Sequence, residues 1–223
     1  MKTFLFQGDS ITAMGRSEKS DDALGWGYVN FFAGSIGCRY PGEFKFINRG
    51  IYGNRSVDIY QRIKKDIINL KPDYMSLLVG VNDLLHEYMR NDGLSAKKYE
   101  TIYSMLIEEV TGALPNIKII ILEPFALEAP RCEWGCGTAD FWDKMKDEII
   151  ERGEIAKKIS QKYNLPFVPL RETFNELGAK NGNLVWTFDG IHPTVAGHKV
   201  IGEKLEKTFM EMIGSEQQCF GKI

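Results

Sequence analysis

Histidine and cysteine are scarce here, three and four respectively among 223 residues, and each scarcity excludes something. A site built on several metal ions, as in metal-dependent phosphoesterases, needs more imidazole ligands than three histidines supply. Four cysteines are too few for a disulfide scaffold, and Cys38, Cys132, Cys136 and Cys219 show no C-x-x-C spacing. Cys132 and Cys136 in RCEWGCG offer half a zinc site, with no second pair to complete it, so they are expected to be ordinary loop thiols. Cys219 stands one residue too far from the end for a prenylation box. A strong charge is absent too: a formal net charge of -2 provides no field for gripping nucleic acid. Long apolar runs are missing, and the run in MKTFLFQGDS stops at Gln7, too short for a signal-peptide core or a membrane span. A cytoplasmic chain without membrane attachment is the expectation. Neither G-x-x-x-x-G-K-[ST] nor G-x-G-x-x-G after a strand occurs, which removes the common nucleotide-binding motifs.

What is present is ordinary globular material, 43% hydrophobic and 26% charged, without repeats or linkers, so residues 1–223 read as one domain. Short apolar runs alternate with longer amphipathic ones. Strands are expected at 3–7, 44–48, 74–79 and 117–122, with a short fifth in PFVPL. Helices are expected over GWGYVNFFAGSI, 55–70, 97–112, 139–163 and roughly 194–213. The clearest is 97–112, where Tyr99, Ile102, Tyr103, Leu106, Ile107 and Val110 repeat at helical period. Strands alternating with crossover helices imply an α/β fold, a three-layer α/β/α sandwich with a five-stranded parallel sheet of flavodoxin-like type. Ligands bind beyond the carboxyl ends of such strands.

The loops at those ends carry chemistry. Strand one runs into Gly8-Asp9-Ser10, strand two into NRGIYGN and strand three into GVND, while FDGIHP precedes the last helix. A serine hydroxyl needs a base to become a nucleophile, and imidazole has a suitable pKa. Ser10 is the candidate nucleophile, His192 the base, and Asp189 the carboxylate that orients His192. Charge developing on a carbonyl oxygen needs fixed donors, for which Ser10 N–H, Gly53 N–H and the Asn82 carboxamide are the candidates. Asp9, Tyr52, Asp83 and Ile191 flank these residues and are expected to line the substrate pocket. Each fragment alone has a plain reading, since Asp9 or Ser10 can simply cap a helix and Asn-Asp is a common turn. Their joint placement at successive strand ends favours acyl transfer.

These blocks resemble the SGNH hydrolases, also called GDSL esterases and lipases: Gly8-Asp9-Ser10-Ile11, Gly53 in NRGIYGN, Gly80-Val81-Asn82-Asp83 and Asp189-Gly190-Ile191-His192, in that order along nearly the whole chain. The resemblance implies Ser10, Asp189 and His192 as a triad and Ser10, Gly53 and Asn82 as an oxyanion hole, with no metal and no cofactor. GDSIT, LGWGYV, LKPDYMSLLVGVND and HPTVAGH are similar to the bacterial subgroup containing acetylxylan esterases. That subgroup often has Asp where Ala13 stands and Ser where Tyr52 stands. The implied substrate is a short-chain, acetyl ester of a carbohydrate such as a xylo-oligosaccharide, and homo-oligomers occur among such esterases. A lipase or lysophospholipase acting on lipid esters is the enzymatic alternative. An inactive carbohydrate-binding protein using Trp26, Trp134, Trp142 or Trp186 is the other. Ser35 in AGSIG imitates a nucleophile elbow but falls in an expected helix. His86, after strand three, could line the pocket, but it and His198 are expected to be packed or surface histidines.

Overall fold

The computed structural model describes residues 1–129 and 139–220, which leaves Cys132, Trp134 and Cys136 outside the described residues. Strands β1 (Lys2–Gly8), β2 (Phe44–Asn48), β3 (Tyr74–Leu78), β4 (Lys118–Leu122) and β5 (Phe167–Val168) pair in parallel in the order β2-β1-β3-β4-β5. This is the five-stranded α/β arrangement expected, with the order reversing between β1 and β3.

Side chains alternate across the sheet at period two and so serve two separate cores. On one face Phe4, Phe6, Tyr74 and Leu78 pack with Tyr28 and Phe32 of α2 (Tyr28–Arg39) and Leu205 and Phe209 of α9 (Val195–Phe220). Phe209 meets Phe4 and Tyr74 edge-on, with ring centroids 5.3 and 5.1 Å away. On the other face Leu5, Met75, Leu77 and Ile121 pack with α6 (Ala96–Ala113) and with Ile59, Ile63 and Ile67 of the 55–70 segment. Of the periodic residues expected in α6, Tyr99, Tyr103, Leu106, Ile107 and Val110 are all buried.

Differences from expectation have local causes. The 55–70 helix is broken into α3 (Ser56–Gln61), α4 (Ile63–Asp66) and a 3-10 turn, Ile68–Leu70. Ile59, Ile63 and Ile67 keep their apolar face buried, but Arg62 leaves helical geometry while its guanidinium bonds Asn54 and Asp66. Two helices are additional, α5 (Val81–Arg90) directly after β3 and α8 (Arg171–Asn181) after β5. The remaining helices are α1 (Ser10–Ala13) and α7 (Ala139–Lys162). Among the described residues, no helix is long and apolar enough to cross a membrane.

Glycine decides how β1 ends. A Cβ at Gly8 would overlap both Thr12 Oγ1 and the Leu78 carbonyl oxygen, so only glycine lets α1 fold back over the strand end. Gly34, within α2 and exposed, would meet nothing. Gly8→Ala is therefore expected to cost about 1–3 kcal/mol through overpacking. Gly34→Ala should gain about 0.5–1 kcal/mol from helix propensity and a stiffer unfolded chain. Urea unfolding of the two variants beside the parent checks both signs.

Candidate active site

Ser10 is the first residue of α1, and Asp9 caps that helix by accepting the Ile11 N–H at 2.9 Å. The cap reading and the chemical one thus coexist: Asp9 holds the turn, and the turn aims Ser10. Ser10 Oγ lies 2.9 Å from His192 Nε2. His192 Nδ1 lies 2.7 Å from Asp189 Oδ2, while Asp189 Oδ1 accepts the backbone N–H groups of Ile191 and His192 at 2.9 and 2.7 Å. The turn between them is tight. Gly190 has φ of 87°, and a side chain there would overlap the Leu127 carbonyl oxygen. Hydrogen bonds from Leu127 N–H to the Gly190 carbonyl and from Phe188 N–H to the His192 carbonyl fasten the turn to its surroundings.

The other two strand-end loops converge on the same place. Gly53 takes φ of 74° in its turn, and the point where its Cβ would stand is 3.9 Å from His86 Nε2. Asn82 is the second residue of α5, and its Nδ2 donates to the Asn54 carbonyl at 3.2 Å, tying the β3 end to the Gly53 turn. Ser10, Gly53, Asn82 and His192 line one cleft of about 340 Å³ together with Tyr52, Leu85, His86, Met89 and Arg90. That volume is at the small end of ligand pockets.

Electrostatics follow from burial and pairing. Burial pulls the His192 pKa down, but the Asp189 hydrogen bond and charge, helped by Asp9, outweigh it and leave it raised above 6.5. For Asp189 burial pushes up, and the hydrogen bonds and charge of His192 win, so its carboxyl stays below the usual value. Such a chain lets imidazole accept a hydroxyl proton while a carboxylate stabilises the resulting cation.

Of the residues expected to line the pocket, Tyr52 does so, its hydroxyl accepting the Gly15 N–H at 2.7 Å. Asp9, Asp83 and Ile191 do not; each is buried beneath the cleft, which corrects that expectation. Asp83 accepts the Ser56 N–H at 3.1 Å and the Ser56 hydroxyl at 2.5 Å, fixing the start of α3 rather than facing a ligand. Burial raises the Asp9 carboxyl to about 7, and Asp83 to about 6 against the opposing Ser56 bonds. Ser35 sits inside α2 as expected. His198 is buried, its Nδ1 accepting the Tyr28 N–H at 3.1 Å, and burial with the His192 charge lowers its pKa to about 3. His86, by contrast, lines the cleft. Its position one helical turn beyond Asn82 is the signal that could have found it. Among the described residues no group of three or more His, Cys, Asp or Glu side chains is gathered for a metal ion.

Residues 6–200 match the GDSL-like lipase/acylhydrolase family. The chain is 32% identical over 222 residues to an acetylxylan esterase of Geobacillus stearothermophilus, covering 95% of this chain and 94% of that one. The crystal structure of Axe2, an acetylxylan esterase of that organism, superposes with a TM-score of 0.79 at 30% identity over 96% of this chain and 94% of that one. Two further Axe2 structures are of catalytic mutants in which a serine or an aspartate is replaced by alanine. A Parabacteroides merdae protein assigned as a GDSL-like lipase superposes with a TM-score of 0.84 at 30% identity, covering 96% and 95% of the two chains.

The raised Asp9 pKa has a consequence for folding. Folded Asp9 keeps its proton up to about pH 7 while the unfolded carboxyl releases it near 3.8, so its stabilising contribution is full in acid and is lost as pH rises across that window. Asp9→Asn keeps the Ile11 acceptor and removes the titration. Its stability relative to the parent is expected to rise steadily between pH 4 and pH 8, read from urea midpoints at each pH.

Proposed function

Because this chain belongs to the GDSL-like lipase/acylhydrolase family and is a carboxylic ester hydrolase, we propose that it works as a serine esterase through a Ser10-His192-Asp189 triad and removes acetyl groups from sugars such as xylo-oligosaccharides. The observation that carries the mechanism is the unbroken hydrogen-bond chain from Ser10 Oγ through His192 to Asp189. Ser10 Oγ attacks the ester carbonyl carbon as His192 Nε2 takes its proton, and Asp189 stabilises the imidazolium. The oxyanion is held by Ser10 N–H, Gly53 N–H and Asn82 Nδ2. Collapse breaks the bond to the alcohol, which leaves with the proton from His192, and an acyl group remains on Ser10. His192 then takes a proton from water, which attacks the acyl carbonyl; the second collapse frees the acid and returns the proton to Ser10.

Two features support the acetyl sugar. The cleft is small, with Leu85 and Met89 as its aliphatic lining. Tyr52, exposed yet pinned by Gly15, offers a fixed aromatic face to a sugar ring. The identity with a Geobacillus acetylxylan esterase points the same way.

Ser10→Ala is expected to reduce kcat about 10⁴–10⁶-fold, and Asn82→Ala about 10²–10³-fold with little change in KM, both on p-nitrophenyl acetate. A near-parental rate in purified Ser10→Ala protein would sink the triad. Because the base must be neutral and its pKa is raised, the rising limb of kcat/KM should lie above pH 6.5. An acyl panel from acetate to octanoate tests chain length, and a preference for the long esters overturns the acetyl reading in favour of a lipid one.

A further inference from the structure

Asn82, His86 and Arg90 are spaced four apart along α5 and form one stripe on its cleft-facing side. Exposure increases along it, from buried Asn82 through half-buried His86 to exposed Arg90. At the helical rise, Arg90 lies about 12 Å up the axis from Asn82, farther than one pyranose ring spans.

The three side chains present successive donors. The Asn82 amide lines the cleft with Ser10 at its base. His86 Nδ1 is buried without a hydrogen-bond partner among the described residues. A buried N–H left unpaired is the costlier orphan, which puts the imidazole proton on Nε2, the atom that faces Gly53. Burial, with the charges of Arg55 and Arg90, lowers the His86 pKa and keeps the ring neutral. Arg90 is the cation at the top. Arg55 nearby is neutralised by Asp58 and Asp92, at 2.9 and 3.0 Å, whereas Arg90 has no ion-pair partner among the described residues. No aspartate or glutamate is among the described residues that line the cleft, in a chain whose net charge is negative. A last-turn arginine also complements the helix dipole, but that role needs no cleft.

We propose that this stripe reads the alcohol side of the ester and that Arg90 binds an anionic group there, so that the substrate is an acetyl ester of an acidic saccharide with its anion on the sugar next to the acetylated one. The inference rests on the acetyl-sugar reading. The shared chemistry is a single oxyanion, which a uronate carboxylate or a sugar phosphate could supply.

The test compares kcat/KM for acetylated xylobiose, acetylated glucuronosyl-xylose and acetylated xylobiose phosphorylated on its unacetylated sugar, with p-nitrophenyl acetate as a reference. At low salt the parent is expected to favour an anionic substrate over xylobiose by about fivefold, the scale of an exposed charge pair. The preference should collapse in roughly 0.5 M salt. In Arg90→Gln the anionic-to-neutral ratio should approach one, and in Arg90→Lys part of it should survive. Using the ratio within each protein removes differences in folded fraction. The anionic arm that gains identifies the group as carboxylate or phosphate. Equal turnover of all three sugar esters, or a preference that survives Arg90→Gln, overturns this inference and leaves the acetyl-sugar reading standing. Hydrolysis of p-nitrophenyl acetate with no hydrolysis of any sugar ester overturns both.

Discussion

The contact between Ser10 Oγ and His192 Nε2 joins residues 182 positions apart, and neither partner reaches it through its own local structure alone. Ser10 is delivered by the end of β1, which Gly8 allows to turn at once into α1. His192 is delivered by a turn standing before α9, the helix whose Leu205 and Phe209 pack on the same sheet face as Phe4 of β1. The apolar layer between α9 and the sheet therefore sets the distance between the two functional ends. Burial of large aromatic side chains contributes about 1.5–3 kcal/mol each to that layer, far more than one polar contact in a half-open cleft contributes. The core holds the contact, and the contact does not hold the core.

A second device recurs at the carboxyl edge of the sheet. Asp9 accepts the Ile11 N–H, Asp83 the Ser56 N–H, Glu123 the N–H groups of Leu170 and Arg171, and Asp189 those of Ile191 and His192. Each is a buried acid bonded to the first free amides of a turn or helix. Those amides would otherwise lack partners where loops leave the sheet, and a buried donor left unmade is costly. Four acidic side chains thus tie three strand-end loops and the turn before α9 to the scaffold. Within that set Asp189 alone pairs with an imidazole in the cleft, and its difference from Asp83 lies in the group its side chain meets: a histidine in one case and a serine hydroxyl in the other.

This explains which parts of the site could be read from the sequence. Ser10, Gly53 and Asn82 were legible because strand ends are legible: TFLFQ, FKFIN and YMSLLV are short apolar runs, and the loops that leave them must gather on one edge of a parallel sheet, while Asp189 and His192 were legible from their D-x-x-H spacing before the last helix. The pocket walls were harder. Asp9 and Asp83 adjoin Ser10 and Asn82 in sequence, but adjacent residues at a helix start point in different directions, and these two point inward. The α5 helix is hidden because GVND looks like a turn, although Val81, Leu84, Leu85 and Tyr88 repeat at helical spacing behind it. Without α5, Leu85, His86, Met89 and Arg90 have no face to share. The α8 helix carries even less signal, since Phe174 and Gly178 are its only buried residues.

The two sides of α5 divide its duties. Val81, Leu84 and Leu85 anchor it in the core beneath the sheet edge, and Leu85 also reaches the cleft. Along the stripe from Asn82 to Arg90, burial falls with each turn, so the structural cost of changing a residue falls in the same direction. Asn82 stands where a substitution would disturb both the Asn54 bond and the proposed oxyanion site. Arg90 stands exposed at the cleft mouth, where a substitution disturbs the core least. On the proposed reading, a helix arranged in this way separates the chemistry at its buried start from substrate choice at its exposed end, because a change at the exposed end leaves the groups that act on the ester in place.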